Sequence, residues 1–215
     1  KTFEDNIERR YLEETRDRVS LKKEIEQLRD LNQQLSLDAS NLTAALKGDN
    51  KTQGDWGEVQ LELLLEKAGL QKDVHYRTQS SFRDQEGKLK RPDFIINLPE
   101  NKHLVIDCKV SLTAYDRYCS AEDDTQRAKA LKLHLESVRT HIKGLSKKKY
   151  QDLYQINSPD YLLLFIPIEP ALALAVQQDQ RLFLDALDDN IVMVTNSTLL
   201  ATMRTVSYIW KQEKQ

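Results

Sequence analysis

Hydrophobic residues recur at heptad spacing between residues 21 and 46, within a stretch, residues 1–47, that has no glycine or proline. One series consists of Leu21, Leu28, Leu35 and Leu42, and a second, offset by four positions, of Ile25, Asn32, Ala39 and Leu46. Two such positions per heptad predict a coiled-coil seam, with the leucines at d and the second series at a. We therefore predict that residues 1–47 form a coiled coil that assembles the chain into homo-oligomers. The predicted contact residues are Leu21, Ile25, Leu28, Asn32, Leu35 and Leu42.

Asn32 places a polar side chain at one a position of this seam. A buried amide pairs best with its twin in a partner helix, which favours a parallel dimer in register. The alternative is a single long amphipathic helix that packs on its own domain. Because the heptads end at Gly48, we predict a second domain over residues 48–215.

Beyond residue 47, short apolar runs alternate with stretches of helical spacing. The predicted helices cover residues 51–68, 122–145, 170–187 and 199–211. The predicted strands cover residues 75–82, 93–98, 103–110, 161–168 and 191–195. The order is helix, three strands, helix, strand, helix, strand, helix. This order predicts an α/β domain with a mixed central sheet flanked by helices.

Charged residues interrupt one of the predicted buried strands. Asp107 and Lys109 lie two residues apart in the apolar run 104–110, so both side chains project from the same face. Burying an acid or a lysine without a partner is costly, so this pair needs a strong compensating interaction. A divalent metal would be one such partner, and a structural ion pair between the two residues is the alternative.

Two further carboxylates lie on neighbouring predicted elements. Glu58 lies on the first helix of the second domain, and Asp93 follows Arg91 and Pro92 at the start of a strand. Three carboxylates offer hard oxygen ligands, which suit Mg2+ or Mn2+. Such a metal polarises a phosphate and lowers the pKa of a bound water, while Lys109 would stabilise charge on the phosphate oxygens. Without its neighbours, Asp93 is better explained as a turn acid, and Glu58 as a solvated helix acid.

The charge balance limits how the chain can bind nucleic acid. Lys and Arg total 32, Asp and Glu total 34, and the formal net charge is -2, so binding has to rest on local patches. The clearest basic cluster lies at the end of the predicted helix 122–145, and a solvated charged face is the alternative for it. The predicted DNA-phosphate contacts are Arg139, Lys143, Lys147, Lys148, Lys149 and, on the last helix, Arg204.

Other function classes are excluded by what the sequence lacks. It contains no run of about 18 apolar residues, so we expect no membrane contact within it. Cys108 and Cys119 lack zinc-ligand spacing and are too few for a disulfide framework, which favours a cytoplasmic protein with reduced thiols. The six glycines form no phosphate-binding loop, so we expect no small-molecule cofactor. Because the sequence begins at Lys1 without Met or signal peptide, we expect a longer parent protein.

Five short motifs together resemble a known family. They are GDWGE at 54–58, RPDF at 91–94, IDCKV at 106–110, HIKGLS at 141–146 and FIPIEPA at 165–171. This combination is similar to the RmuC family of DNA recombination proteins, and its acids and lysine resemble the PD-(D/E)xK nuclease superfamily. The match covers about residues 50–215, and the predicted coiled coil also fits the family.

The resemblance implies a restriction-endonuclease-like core in a bacterial protein that limits DNA rearrangement at inverted repeats. By position, Glu58, Asp93 and Asp107 match the superfamily's metal-binding acids and Lys109 its catalytic lysine, although many members have Glu where this sequence has Asp107. A Mg2+- or Mn2+-dependent endonuclease acting on hairpins, inverted repeats or branched DNA is therefore expected. The alternative is a non-catalytic DNA-binding scaffold that keeps the nuclease fold and assembles through its coiled coil. Family members often carry a membrane anchor before the coiled coil.

Overall fold

A computed structural model of the chain describes residue 30 and residues 50–79, 81–83, 89–108, 112–148 and 161–213. The seam of the predicted coiled coil, together with Lys109 and Lys149, lies outside the described residues. The coiled coil, the domain boundary at residue 48 and the roles of these two lysines therefore stay predictions.

Helices and strands alternate along the described residues. The helices are α1 (Asn50–Lys67), α2 (Thr113–Cys119), α3 (Asp124–Ser146), α4 (Glu169–Gln178), α5 (Arg181–Asp188) and α6 (Asn196–Glu213), with a 3-10 turn at Pro99–Asn101. The strands are β1 (Tyr76–Thr78), β2 (Phe82–Arg83), β3 (Leu89–Lys90), β4 (Phe94–Leu98), β5 (Lys102–Asp107), β6 (Leu162–Phe165) and β7 (Ile191–Val194). None of the described helices combines the length and the apolar character needed to cross a membrane.

Five of the strands form one mixed sheet in the order β1-β4-β5-β6-β7. β1, β4 and β5 are antiparallel neighbours, whereas β5, β6 and β7 run parallel. β2 and β3 pair separately as a short antiparallel ribbon. The prediction of an α/β domain with a mixed sheet flanked by helices is confirmed.

The two faces of the sheet pack into two separate cores. On one face, Ile106 of β5 belongs to the same buried cluster as Leu64 of α1 and residues of α6. On the other face, Val105 packs in a cluster with Val138 of α3 and residues of α4 and α5. Because side chains alternate along a strand, Asp107 points to the α3 side, like Val105.

The single helix predicted over residues 170–187 is wrong, because the structure has two helices there. α4 ends at Gln178, and Asp179 adopts φ -140° and ψ 88°. The Asp179 side chain accepts a hydrogen bond from the backbone N–H of Arg181, 3.2 Å away. Such a local side-chain contact offers the backbone an alternative to the helix. A second difference is α2, which has no buried residue to give it an apolar period.

Candidate active site

Asp93 and Asp107 lie at the same end of the β4–β5 pair. These strands are antiparallel with Phe94 opposite Ile106, so extending the register by one position sets Asp93 opposite Asp107. Asp107 is only 3% exposed, and Asp93 is half-buried. Like charges opposite each other in a sheet repel. The fold therefore concentrates negative charge at this point.

The pKa of Asp93 reflects this crowding. Burial and then the neighbouring charges of Asp107 and Glu58 raise the pKa of Asp93 from 3.8 to about 6. Two groups act in the opposite direction: the backbone N–H of Cys108 donates to Asp93 Oδ2 at 3.0 Å, and the charge of Lys148 lowers the pKa. Because the raising effects are larger, the site favours an additional positive charge at neutral pH.

Glu58 approaches the same site from α1 and is held by two further residues. Gln79 Nε2 donates to Glu58 Oε2 at 3.0 Å. Arg91 in turn donates from Nη2 to Gln79 Oε1 at 2.6 Å and from Nε to the Gln79 carbonyl at 2.9 Å. Gln79 has a left-handed φ of 48°, which ends β1 at Thr78 instead of continuing the predicted strand to residue 82. Arg91 and Gln79 thus fix the orientation of Glu58, and no sequence motif marks Gln79.

Lys148 contributes an ammonium to the acidic site. It lies in the turn after α3, and its Nζ is 2.7 Å from Asp107 Oδ1. The sequence predicts a DNA contact for Lys148, which stays a prediction, and in the structure its ammonium pairs with a candidate metal ligand. The two residues are 41 positions apart, so local sequence patterns carry no signal for this pair.

Cys108 is buried in the core cluster that includes residues of α1. A Cβ on Gly57 would lie 2.8 Å from Cys108 Sγ, so this contact requires a glycine at position 57. Burial, reinforced by the charges of Asp93 and Asp107, raises the pKa of the Cys108 thiol well above its usual range. The thiol therefore stays protonated and packs as an apolar side chain. The close approach at Gly57 brings the adjacent Glu58 toward the sheet.

Substituting Gly57 tests this packing. Gly57→Ala is expected to lower the free energy of unfolding by about 1–3 kcal/mol, because the added methyl overpacks the contact with Cys108. At Gly54, on the same helix, a Cβ would meet nothing within 4 Å. Gly54→Ala should therefore raise stability by up to about 1 kcal/mol through helix propensity. Urea unfolding measures both effects, and equal shifts for the two variants would contradict the proposed close approach.

The carboxylates suit a hard divalent cation in their chemistry. As they stand, however, the described residues contain no group of three or more His, Cys, Asp or Glu side chains that could hold a metal ion. One oxygen of Asp107 is instead taken by the ammonium of Lys148. The carboxylates are therefore the type of ligand that a divalent metal prefers. In this structure one of them, Asp107, binds the ammonium of Lys148.

The other predicted DNA contacts that the structure describes lie on α3, at its C-cap and on α6. Arg139, Lys143 and Lys147 are exposed and follow one another at intervals of four residues, so they share one face of α3 and its C-cap. This basic face leads into the turn that holds Lys148. Arg139 also forms an ion pair with Asp179. Arg204 is half-buried on α6.

The FIPIEPA motif, residues 165–171, lies next to the acids, at the end of the sheet where the parallel strands β5, β6 and β7 terminate. Glu169 Oε1 accepts hydrogen bonds from Thr195 Oγ1 at 2.8 Å and from the backbone N–H of Ser197 at 2.9 Å. Asn196 Nδ2 donates to the carbonyl of Pro167 at 3.0 Å. Glu169 thereby satisfies a backbone donor at the start of α6, and the motif ties β6 and β7 together beside the acids.

Comparison with known proteins agrees with the five motifs. The model of the RmuC family matches residues 1–215. The DNA recombination protein RmuC homolog of Pseudomonas aeruginosa is 51% identical over 213 residues, which are 99% of this chain and 47% of that protein. The Vibrio cholerae homolog is 45% identical, covering 99% and 42%. DNA recombination protein RmuC of Escherichia coli K12 is also 45% identical, covering 99% and 45%.

The chain spans about half the length of these curated relatives. The match to the family model nevertheless extends along the whole chain, including the predicted coiled coil. On this evidence the resemblance read from the motifs is confirmed, and the chain belongs to the RmuC family.

Proposed function

We propose that the chain carries the active site of a metal-dependent DNA endonuclease that cuts structured DNA and limits DNA rearrangement. The observation that supports this most strongly is the acidic cluster, in which Asp93 lies opposite Asp107 and both Asp107 and Glu58 raise the pKa of Asp93. A PD-(D/E)xK-like core is part of the proposal, with Glu58 on α1, Asp93 directly before β4 and Asp107 at the end of β5. Relatives named DNA recombination protein support the recombination role.

Phosphodiester hydrolysis requires a stabilised phosphate and an oriented water. A Mg2+ or Mn2+ ion held by Glu58, Asp93 and Asp107 would polarise the phosphate and lower the pKa of the attacking water. The lysines supply the remaining positive charge, because an ammonium is a compact cation that binds one phosphate oxygen. By its position in the sequence, Lys109 is assigned to this task.

DNA is proposed to reach the acids along the basic face of Arg139, Lys143 and Lys147. The formal net charge of -2 means that attraction to DNA has to be local. This face ends at the turn where Lys148 enters the acidic site, so a backbone that follows it arrives at the carboxylates. Residues of α3 and its C-cap would thus position the DNA phosphates, and the acids at the end of β5 would carry out the chemistry.

Reversing two charges on this face tests the path. Lys143→Glu combined with Lys147→Glu is expected to weaken binding of a labelled hairpin by about tenfold or more. The slope of log K against log salt should fall by about 2, because two phosphate contacts are lost. Fluorescence anisotropy across a salt series measures both quantities. Lys129→Glu with Lys132→Glu on the same helix is the matched control, and an equal loss in that pair would contradict a localised path.

The endonuclease proposal is tested by cleavage. Hairpin, branched and linear duplex DNA are incubated with the purified chain and Mg2+ or Mn2+, with EDTA as control. Metal-dependent cleavage that prefers the structured substrates is expected, and Lys109→Ala should lose it. Equal cleavage by the wild type, Asp107→Ala and Lys109→Ala would place the activity outside this site.

A non-catalytic DNA-binding scaffold is the second candidate, and the Lys148–Asp107 ion pair favours it, because that pair neutralises a buried acid without a metal. The scaffold predicts salt-dependent DNA binding and no cleavage with any divalent cation. Assembly through residues 1–47 belongs to both candidates. Sedimentation of the chain with and without those residues tests it, and a shift to monomer on their removal is the expected result.

A further inference from the structure

We propose that Lys148 is an internal cation of the acidic site that exchanges with the divalent metal: it holds Asp107 in the metal-free chain and contacts a DNA phosphate once a metal is bound. This inference rests on the proposed function and adds a coupling between metal binding and DNA binding at the same site.

The two partners of the ion pair differ in their freedom to leave it. The Asp107 side chain is 4% exposed, whereas that of Lys148 is 35% exposed. Asp107 ends a central strand of the sheet, flanked by β4 and β6. Lys148 lies in a turn beyond the last residue of α3, on a flexible four-carbon stem. The ammonium can therefore turn toward solvent while the carboxylate stays in place.

A metal and the ammonium compete for the same oxygen. Nζ lies 2.7 Å from Asp107 Oδ1, so a cation ligated by that oxygen would stand directly beside Lys148. Like charges this close repel strongly in a partly buried site.

DNA offers the displaced ammonium a new partner. Lys148 directly follows Lys147, which belongs to the basic face on α3. A phosphate bound along that face would lie next to Lys148, and the ammonium would bind one of its oxygens. Metal binding releases Lys148 and thereby raises the affinity for DNA. By linkage, DNA binding raises the affinity for the metal by the same factor.

Metal affinity and DNA affinity are measured separately to test this exchange. Mn2+ is titrated calorimetrically into the wild type, Lys148→Gln and, as matched control, the exposed neighbour Lys147→Gln. Lys148→Gln is expected to bind Mn2+ about 5- to 20-fold more tightly than the wild type, a coupling of ordinary size, and Lys147→Gln to bind it as the wild type does. Lys148→Arg keeps the charge and is expected to stay near the wild-type affinity, which guards against a folding defect in Lys148→Gln.

DNA affinity supplies the second readout. Binding of a phosphorothioate hairpin, which resists hydrolysis, is compared with and without Mn2+. Lys148→Gln should bind like the wild type without metal and about fivefold or more weakly with it. An equal loss under both conditions, or a Mn2+ affinity changed no more than in Lys147→Gln, overturns the exchange while the endonuclease proposal stands. Failure of both the wild type and Lys148→Gln to bind Mn2+ overturns both proposals.

Discussion

Replacing Asp107 with asparagine is expected to lower the rate of metal-dependent DNA cleavage by a factor on the order of 10^2–10^3, the size typical for losing one charge-stabilising group in an active site. Asp107 lies opposite Asp93, is almost completely buried and accepts from Lys148. Asparagine keeps the size of the side chain and an oxygen that can accept from Lys148. The substitution therefore removes the charge that would bind the metal and leaves the packing in place.

Single-turnover cleavage of a hairpin with Mn2+ measures this effect. Asp55→Asn, an exposed acid on α1, is the matched control and should cleave at the wild-type rate. Calorimetry should show that Mn2+ affinity falls with the rate in Asp107→Asn. If Asp107→Asn cleaved as fast as Asp55→Asn, Asp107 would have no part in catalysis.

Replacing Asp93 with asparagine is expected to stabilise the metal-free chain above pH 6. The folded-state pKa of Asp93 is raised to about 6 from 3.8, so the folded chain binds this proton more tightly than the unfolded chain. Stability is therefore lost as the pH rises from about 4 to about 6, and the loss is complete above that range. Two pKa units correspond to about 3 kcal/mol as an order of magnitude.

Asparagine has no charge to desolvate and can still accept from the Cys108 N–H. Asp93→Asn should consequently unfold at higher urea at pH 8, by about 2–3 kcal/mol, and match the wild type near pH 4. The same variant should lose cleavage, because the charged Asp93 carboxylate is proposed to bind the metal. A charge that lowers stability but serves activity is common in active sites. Greater stability at pH 8 in Asp55→Asn than in Asp93→Asn would contradict this account.

Much of the fold could be predicted from apolar patterning. β6, at Leu162–Phe165, is buried on both faces and reads as an uninterrupted apolar run. Because side chains alternate along β5, the sequence predicts which face of the sheet carries the Asp107 side chain. The antiparallel register that sets Asp93 opposite Asp107 depends on the turn at Pro99–Asn101, whose proline and polar residues are visible in the sequence.

Other parts of the site depend on contacts that local patterns do not contain. The left-handed φ of Gln79 and its hydrogen bond to Glu58 involve a residue type with no strong preference for either role. The pairing of Lys148 with Asp107 joins residues 41 positions apart through the packing of α3 on the sheet. The break between α4 and α5 at Asp179 depends on one side-chain hydrogen bond. The spacing of apolar residues along α4 and α5 gives no sign of this hydrogen bond.

We propose that Glu58 on α1, Asp93 directly before β4 and Asp107 at the end of β5 bind a divalent metal at the site of DNA cleavage. Anomalous diffraction from crystals of the chain grown with Mn2+ tests it most directly. The predicted result is a manganese peak shared by the carboxylates of Asp93 and Asp107, with Glu58 beside it and Lys148 Nζ turned away from Asp107. A map without manganese at these carboxylates, with Lys148 still paired to Asp107, would contradict the claim.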